Sequence, residues 1–68
     1  MDEWTDMGND TFRRDYTNYV YGIIAKEAGG LKAGLYNCAG FECKTLAMHR
    51  FATMDEATAF LDAEAEKQ

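Results

Sequence analysis

The stretch TMDEATAFLDAEAE, residues 53–66, joins a helix start signal to an amphipathic repeat. Thr53 followed three residues later by Glu56 matches a capping box, in which the two side chains satisfy free backbone N–H groups of the first turn. The apolar residues then recur at spacings of three and four and form one stripe, made of Met54, Ala57, Phe60, Leu61 and Ala65. The stretch predicts a helix over about residues 54–66 whose stripe must be buried.

Three segments before this helix have the composition of β-strands. Residues 19–25, 31–37 and 41–51 are rich in aromatic, β-branched and other apolar side chains. Glycine-containing turn signals separate them, and such short connections favour antiparallel neighbours. We therefore expect an α+β fold in one domain, a three-stranded antiparallel meander packed by one C-terminal helix (β-β-β-α).

Strict alternation along the third strand assigns its side chains to two faces. The alternation predicts that one face carries Phe41, Cys43, Thr45, Ala47, His49 and Phe51, and that the other carries Glu42, Lys44, Leu46, Met48 and Arg50.

Residues 1–15 have no clear periodicity and are interpreted as an acidic N-terminal arm. Trp4 and Met7 are spaced for one helical turn, but Gly8-Asn9-Asp10 would break it. The segment 11–16 could instead extend the first strand backward. We expect the large side chains of the arm to pack somewhere on the domain.

The size and charge of the chain limit its function. It has 68 residues and a formal net charge of −5, and so small a domain cannot easily line a deep pocket. No stretch approaches the roughly 20 apolar residues of a membrane span, and the acidic N-terminus lacks the features of a signal peptide. These patterns predict a cytoplasmic protein.

Cys38 and Cys43 flank the second turn. In the cytosol we expect two reduced thiols that act as small hydrophobic residues. A four-residue loop would align them for a disulfide, which a two-residue loop would not do, and zinc binding would require His49 as a further ligand. Free thiols are the expectation, with a disulfide and a metal site as alternatives.

No catalytic set is apparent. The chain contains no serine, and His49 lies about 20 Å along an extended strand from Cys43, too far for a nucleophile–base pair. Gly29-Gly30 joins two strands and opens no helix, so it is not a phosphate-binding loop. We expect a protein that is not an enzyme, has no cofactor or metal, and carries His49 as a structural or surface residue.

The tyrosines indicate a binding role. Tyr19 and Tyr21 share one face of the first strand and Val20 and Ile24 share the other, so both faces are apolar. One helix can cover only one face, and the other must be shielded by the arm, by a second copy or by a partner. Tyrosine suits such an interface because its ring is apolar and its tip is polar.

The acidic residues cluster at the two ends of the chain, around a weakly basic middle. An acidic helix would be attracted to a protein with a basic groove, such as one that holds nucleic acid. The residues predicted to bind a partner are Asp55, Glu56, Asp62, Glu66, Tyr19, Tyr21 and Tyr36.

Two other functions are alternatives. Aromatic side chains on the sheet beside Lys26, Lys32, Lys44 and Arg50 could bind single-stranded nucleic acid. The net negative charge argues against that partner. A homodimer through the uncovered face or a strand edge is the other alternative.

Two weak resemblances bear on these hypotheses. The junction Phe51-Ala52-Thr53-Met54-Asp55-Glu56-Ala57 resembles that of plant ethylene-response and phage integrase arm-binding domains, which read DNA with an arginine-rich sheet. In size, acidity and lack of a catalytic set, the chain resembles small phage-encoded inhibitors of bacterial defence of the anti-CRISPR type. That second resemblance implies a non-enzymatic inhibitor that docks on a nucleic-acid-binding complex, in the host cytoplasm if a phage encodes it.

Overall fold

The computed structural model describes residues 4–68, which form one antiparallel sheet and one helix. The strands follow one another in space as they do in sequence, and each pairs with the next. The elements are β1 (Thr5–Gly8), β2 (Thr11–Asp15), β3 (Val20–Glu27), β4 (Gly30–Ala39), β5 (Glu42–Phe51) and α1 (Met54–Glu66). The α+β class agrees with the prediction from sequence.

The predicted three-stranded sheet was wrong, because the described part of the arm forms two further strands, β1 and β2. Gly8-Asn9-Asp10 is a hairpin turn that joins them, with φ of 54° at Asn9 and 57° at Asp10. Asparagine and aspartate tolerate this left-handed region better than most residues, and paired positive φ values are typical of tight hairpins. The arm therefore widens the sheet beside β3. The first three residues of the predicted arm lie outside the described residues.

The core lies between α1 and one face of β3, β4 and β5. Gly22 permits a close approach there, because a Cβ at this position would lie 3.1 Å from both Leu61 Cδ1 and Trp4 Cη2. Trp4 and Phe12 pack against this same core, so both large side chains of the arm lie on the helix side. The fully enclosed apolar residues are Val20, Ile24, Leu31, Ala33, Leu35, Ala57 and Leu61.

The predicted helix is confirmed, with bounds of Met54–Glu66. Thr53 Oγ1 accepts a hydrogen bond from the backbone N–H of Glu56 at 3.2 Å, which satisfies one free donor of the first turn. The buried side of the helix centres on Ala57 and Leu61. Among residues 4–68, no helix is long and apolar enough to cross a membrane.

A β-bulge in β5 overturns the strict alternation predicted for that strand. Leu35 pairs with Ala47 and Tyr36 pairs with Thr45, so Leu46 is an extra residue on β5. Residues directly opposite each other share a face. The bulge therefore places Thr45 and Ala47 on opposite faces, although they are two residues apart.

The expected free thiols are also contradicted, because Cys38 and Cys43 form a disulfide. The hairpin turn between β4 and β5 has only two residues, Gly40 and Phe41, so Ala39 pairs with Glu42 and the cysteines pair next to them. The two-residue turn aligns the cysteines, contrary to the expectation. The bridge closes this hairpin directly below its turn.

Replacing Leu61 by alanine should lower the free energy of unfolding by about 2–5 kcal/mol, since the side chain is completely enclosed and its loss leaves a cavity under the sheet. Urea unfolding followed by circular dichroism measures this change. The control is Phe41→Ala, at a fully exposed ring, which should change stability by less than about 0.5 kcal/mol. Equal losses in the two variants would contradict the assigned core.

Candidate binding surface on the open face of the sheet

The sheet face that points away from α1 is called the open face. Its side chains alternate with the core residues and align in rows across the strands. The middle row consists of Arg13, Ile23, Gly34 and Met48. The rows on either side consist of Asp15, Tyr21, Tyr36 and Thr45, and of Thr11, Ala25, Lys32 and Arg50.

No described element covers the open face. The contacts of α1 with the sheet are made on the other side, where the core lies. Met48, at the centre of β5, remains 42% exposed, and Ile23 is half-buried among its neighbours in the sheet. Residues 5–15 of the arm do not cover this second face, because β1 and β2 lie beside β3 in the sheet. The open face is thus an uncovered surface with apolar and aromatic side chains.

The hydroxyl end of the Tyr36 ring lies over Gly34. A Cβ on Gly34 would come within 2.7 Å of Tyr36 Cζ and 2.9 Å of its Cε2. Only glycine leaves this space free, because such short separations are closer than van der Waals contact permits. Gly34 therefore makes room for the end of the Tyr36 ring, which remains half-buried on the open face.

Tyr21 stands beside Tyr36 and completes an aromatic pair. The two ring centroids are 5.6 Å apart with an angle of 32° between the planes. Arg13 lies over the Tyr21 ring, with Cζ 4.2 Å from the centroid, and its guanidinium forms an ion pair with Asp15 at 2.9 Å. This arrangement holds one planar cation and two planar rings side by side.

The charges of the open face differ from those of the rest of the molecule. Its cations are Arg13, Lys32 and Arg50, and its acids are Asp15 and Glu27, which pairs with Arg50 at 3.0 Å. The helix side, in contrast, carries the five acidic residues of α1. The open face has a small positive charge while the chain as a whole is at −5, so the molecule is electrostatically polar.

Of the predicted site residues, Tyr21 and Tyr36 come together on the open face. Tyr19 is 57% exposed and lies in the connection between β2 and β3. Asp55 and Glu56 are exposed in the first turn of α1. The predicted set therefore divides between two sides of the molecule.

The remaining two predicted acids lie at the other end of α1. Asp62 accepts hydrogen bonds from Tyr16 Oη at 2.6 Å and from Arg14 Nη1 at 3.0 Å. Asp62 therefore ties the helix to the sheet. Glu66 lines a shallow cleft of about 400 Å³ next to these groups.

The phenol of Tyr16 is held in its neutral form. Burial raises the pKa of Tyr16 well above its ordinary value of 10.0, and the hydrogen bond to Asp62 raises it further. The ring also lies against Trp4, edge to face at 6.3 Å. Tyr16 and Asp62 together form a polar link within the helix–sheet contact.

His49 is exposed and lies beside two phenylalanine rings. Its ring centroid lies 4.9 Å from that of Phe51 and 5.9 Å from that of Phe60, so the imidazole packs in an aromatic cluster on the helix side. Within residues 4–68, no three histidine, cysteine, aspartate or glutamate side chains are grouped so that they could hold a metal ion.

The pairing of the strands also separates the cations that the sequence grouped together. Lys32 and Arg50 lie on the open face, opposite each other on β4 and β5. Lys26 pairs with Leu31 and therefore faces the helix side. Arg13 was missed as a site residue because residues 11–15 were assigned to the arm. The aromatic residues Phe12 and Tyr16, an even number of positions apart, are the signal that could have found a strand here.

Comparisons with known proteins add no relative: no family model matches the chain, and no curated protein or solved structure matches it significantly.

The link through Tyr16 predicts a loss of stability at alkaline pH. Below about pH 10, Tyr16 keeps its proton in both the folded and the unfolded chain. At higher pH the unfolded chain releases this proton while the folded chain retains it. The free energy of unfolding therefore falls as the pH rises. Tyr16→Phe keeps the ring and removes this proton. The stability difference between wild type and variant should therefore shrink between about pH 9 and pH 12, as measured by urea unfolding. A difference that stays constant would contradict the neutral buried phenol.

Proposed function

We propose that the protein is a non-enzymatic binding protein whose open face binds single-stranded nucleic acid. The observation that supports this most is the aromatic pair on the uncovered face, in which the Tyr21 and Tyr36 ring centroids lie 5.6 Å apart and the tip of Tyr36 lies over Gly34. Bases of single strands stack on aromatic rings presented by a sheet. Such stacking tolerates any sequence because every base has a flat π-surface.

The cations of the open face are placed to contact the phosphates of a bound single-stranded nucleic acid. Lys32 and Arg50 face each other on one side of the middle row, and Arg13 lies beside Tyr21. Arg13 and Arg50 each have an acidic neighbour, which reduces their attraction for phosphate. With three contacts at most, log K should fall with log salt concentration with a slope of about −2. We therefore expect weak binding that depends strongly on ionic strength.

The acidic helix restricts binding to one side of the molecule. The carboxylates of α1 repel phosphate, and they lie across the sheet from Tyr21 and Tyr36. The net charge that argued against nucleic acid is thus an average over two different surfaces. A single-stranded nucleic acid approaching the protein would be directed to the open face.

Other occupants fit the open face less well. A second copy would bring two surfaces of the same net charge together, which opposes a homodimer. Docking of α1 on a basic groove, as in an anti-CRISPR-type inhibitor, would use the exposed Asp55, Glu56 and Glu66. Asp62, however, is already bonded to Tyr16 and Arg14, and that mode would leave the aromatic pair unused. The open face is therefore our preferred binding surface.

Tyr36→Ala should weaken binding of a fluorescent single-stranded oligonucleotide of about ten nucleotides by about 1–3 kcal/mol, the value of one base–aromatic stack. Lys32→Glu should also weaken it, because it reverses a charge on the open face. The measurement is fluorescence anisotropy at low and at physiological ionic strength.

The matched control is Lys26→Glu, which makes the same charge change on the helix side and should have a much smaller effect. Absence of binding at low salt would contradict the proposal, as would equal losses from Lys32→Glu and Lys26→Glu. Sedimentation of the same samples distinguishes a homodimer: a dimer that Tyr36→Ala dissociates would assign the open face to a second copy.

A further inference from the structure

The disulfide lies at the end of the aromatic pair. Cys38 follows Tyr36 by two residues on β4 and therefore lies on the open face as well, opposite Cys43. Tyr21 Oη is 3.3 Å from Cys38 Sγ, within hydrogen-bond distance for a sulfur. The disulfide thus contacts the hydroxyl of Tyr21. Arg13 lies over the ring of this tyrosine, and Tyr36 lies beside it.

We propose that the Cys38–Cys43 disulfide controls the affinity of the open face for single-stranded nucleic acid, with the oxidised form binding more tightly. This inference rests on the function proposed above and adds its regulation. A dithiol reductant would break the S–S bond and become a cyclic disulfide. Its two protons and two electrons would pass to the protein as two cysteine thiols.

Reduction would act on the site through Tyr21. Once the bond is broken, the two sulfur atoms repel at the bonded distance and must separate, which displaces the partner of Tyr21 Oη. The ring of Tyr21 then loses a fixed neighbour, and through it the positions of Arg13 and Tyr36 become less defined. Binding must afterwards order these side chains, which lowers affinity.

The hairpin itself would also loosen. Residues 42–45 are exposed on the edge strand β5, and Phe41 in the turn is fully exposed, so few packing contacts hold this end of β5. Without the covalent bond, backbone hydrogen bonds to β4 remain as the main restraint. Segments with few buried contacts open most easily. The disulfide therefore keeps one border of the open face rigid.

The test compares oligonucleotide affinity of the oxidised protein with that of the same protein in excess dithiothreitol, by fluorescence anisotropy at low salt. We expect Kd to be about two- to tenfold higher after reduction, the range for ordering one side chain on binding. Far-UV circular dichroism of the reduced sample verifies that it is folded. Cys38→Val with Cys43→Val provides a second form without the bridge, in which β-branched side chains preserve strand propensity, and it should bind as weakly in either redox condition.

Tyr21→Phe tests the route of the coupling. The variant keeps the ring but removes the contact with Cys38 Sγ, so reduction should change its affinity by less than half the factor seen for wild type. Equal affinities of oxidised and reduced wild type, with the oxidised protein binding, would overturn the regulation and leave the proposed function standing. Absence of binding by the oxidised protein would overturn both.

Discussion

One helix of 13 residues must cover a sheet of five strands, and it can cover only one face. This constraint determines where the core lies and what remains exposed. The helix packs over β3, β4 and β5, where Gly22 lets Leu61 approach the backbone. The first two strands enlarge the sheet without adding a second layer. The open face therefore follows from the arrangement of one helix on a single sheet.

A glycine positions aromatic rings on each face of the sheet. Gly22 makes room for Trp4 and Tyr16 on the helix side, and Gly34 makes room for Tyr36 on the open face. On the helix side the rings complete the core and are linked to α1 by the bond between Tyr16 and Asp62. On the open face no described element lies over the sheet, so Tyr36 and Tyr21 form an aromatic pair on an uncovered surface.

The helix could be predicted closely because its signals are local: a capping threonine, acidic residues in the first turn and a repeat of 3.6 residues. The β1–β2 hairpin was missed because its turn depends on positive φ at Asn9 and Asp10. The same residues are also typical of a segment that ends a helix. The faces of β5 were mispredicted because the bulge at Leu46 follows from pairing with β4, which a single strand does not reveal.

The candidate site was predicted only in part for a similar reason. Tyr21 and Tyr36 stood out as surplus aromatic residues, and both lie on the open face. Their neighbours Gly34 and Arg13 can be identified only when the register between the strands is known, because the sequence of a single strand does not determine this register. The disulfide was not predicted, because the prediction relied on the expected compartment and on the length of one turn. The spacing of Cys38 and Cys43 determines neither of them.

The central claim is that the open face, and not the acidic helix, is the binding surface. Amide chemical shifts of the isotope-labelled, oxidised protein during titration with a short single-stranded oligonucleotide test this most directly. The account predicts that the perturbed residues cluster at Arg13, Tyr21, Lys32 and Tyr36, with α1 unaffected. Perturbations confined to α1, or none at low salt, would contradict it.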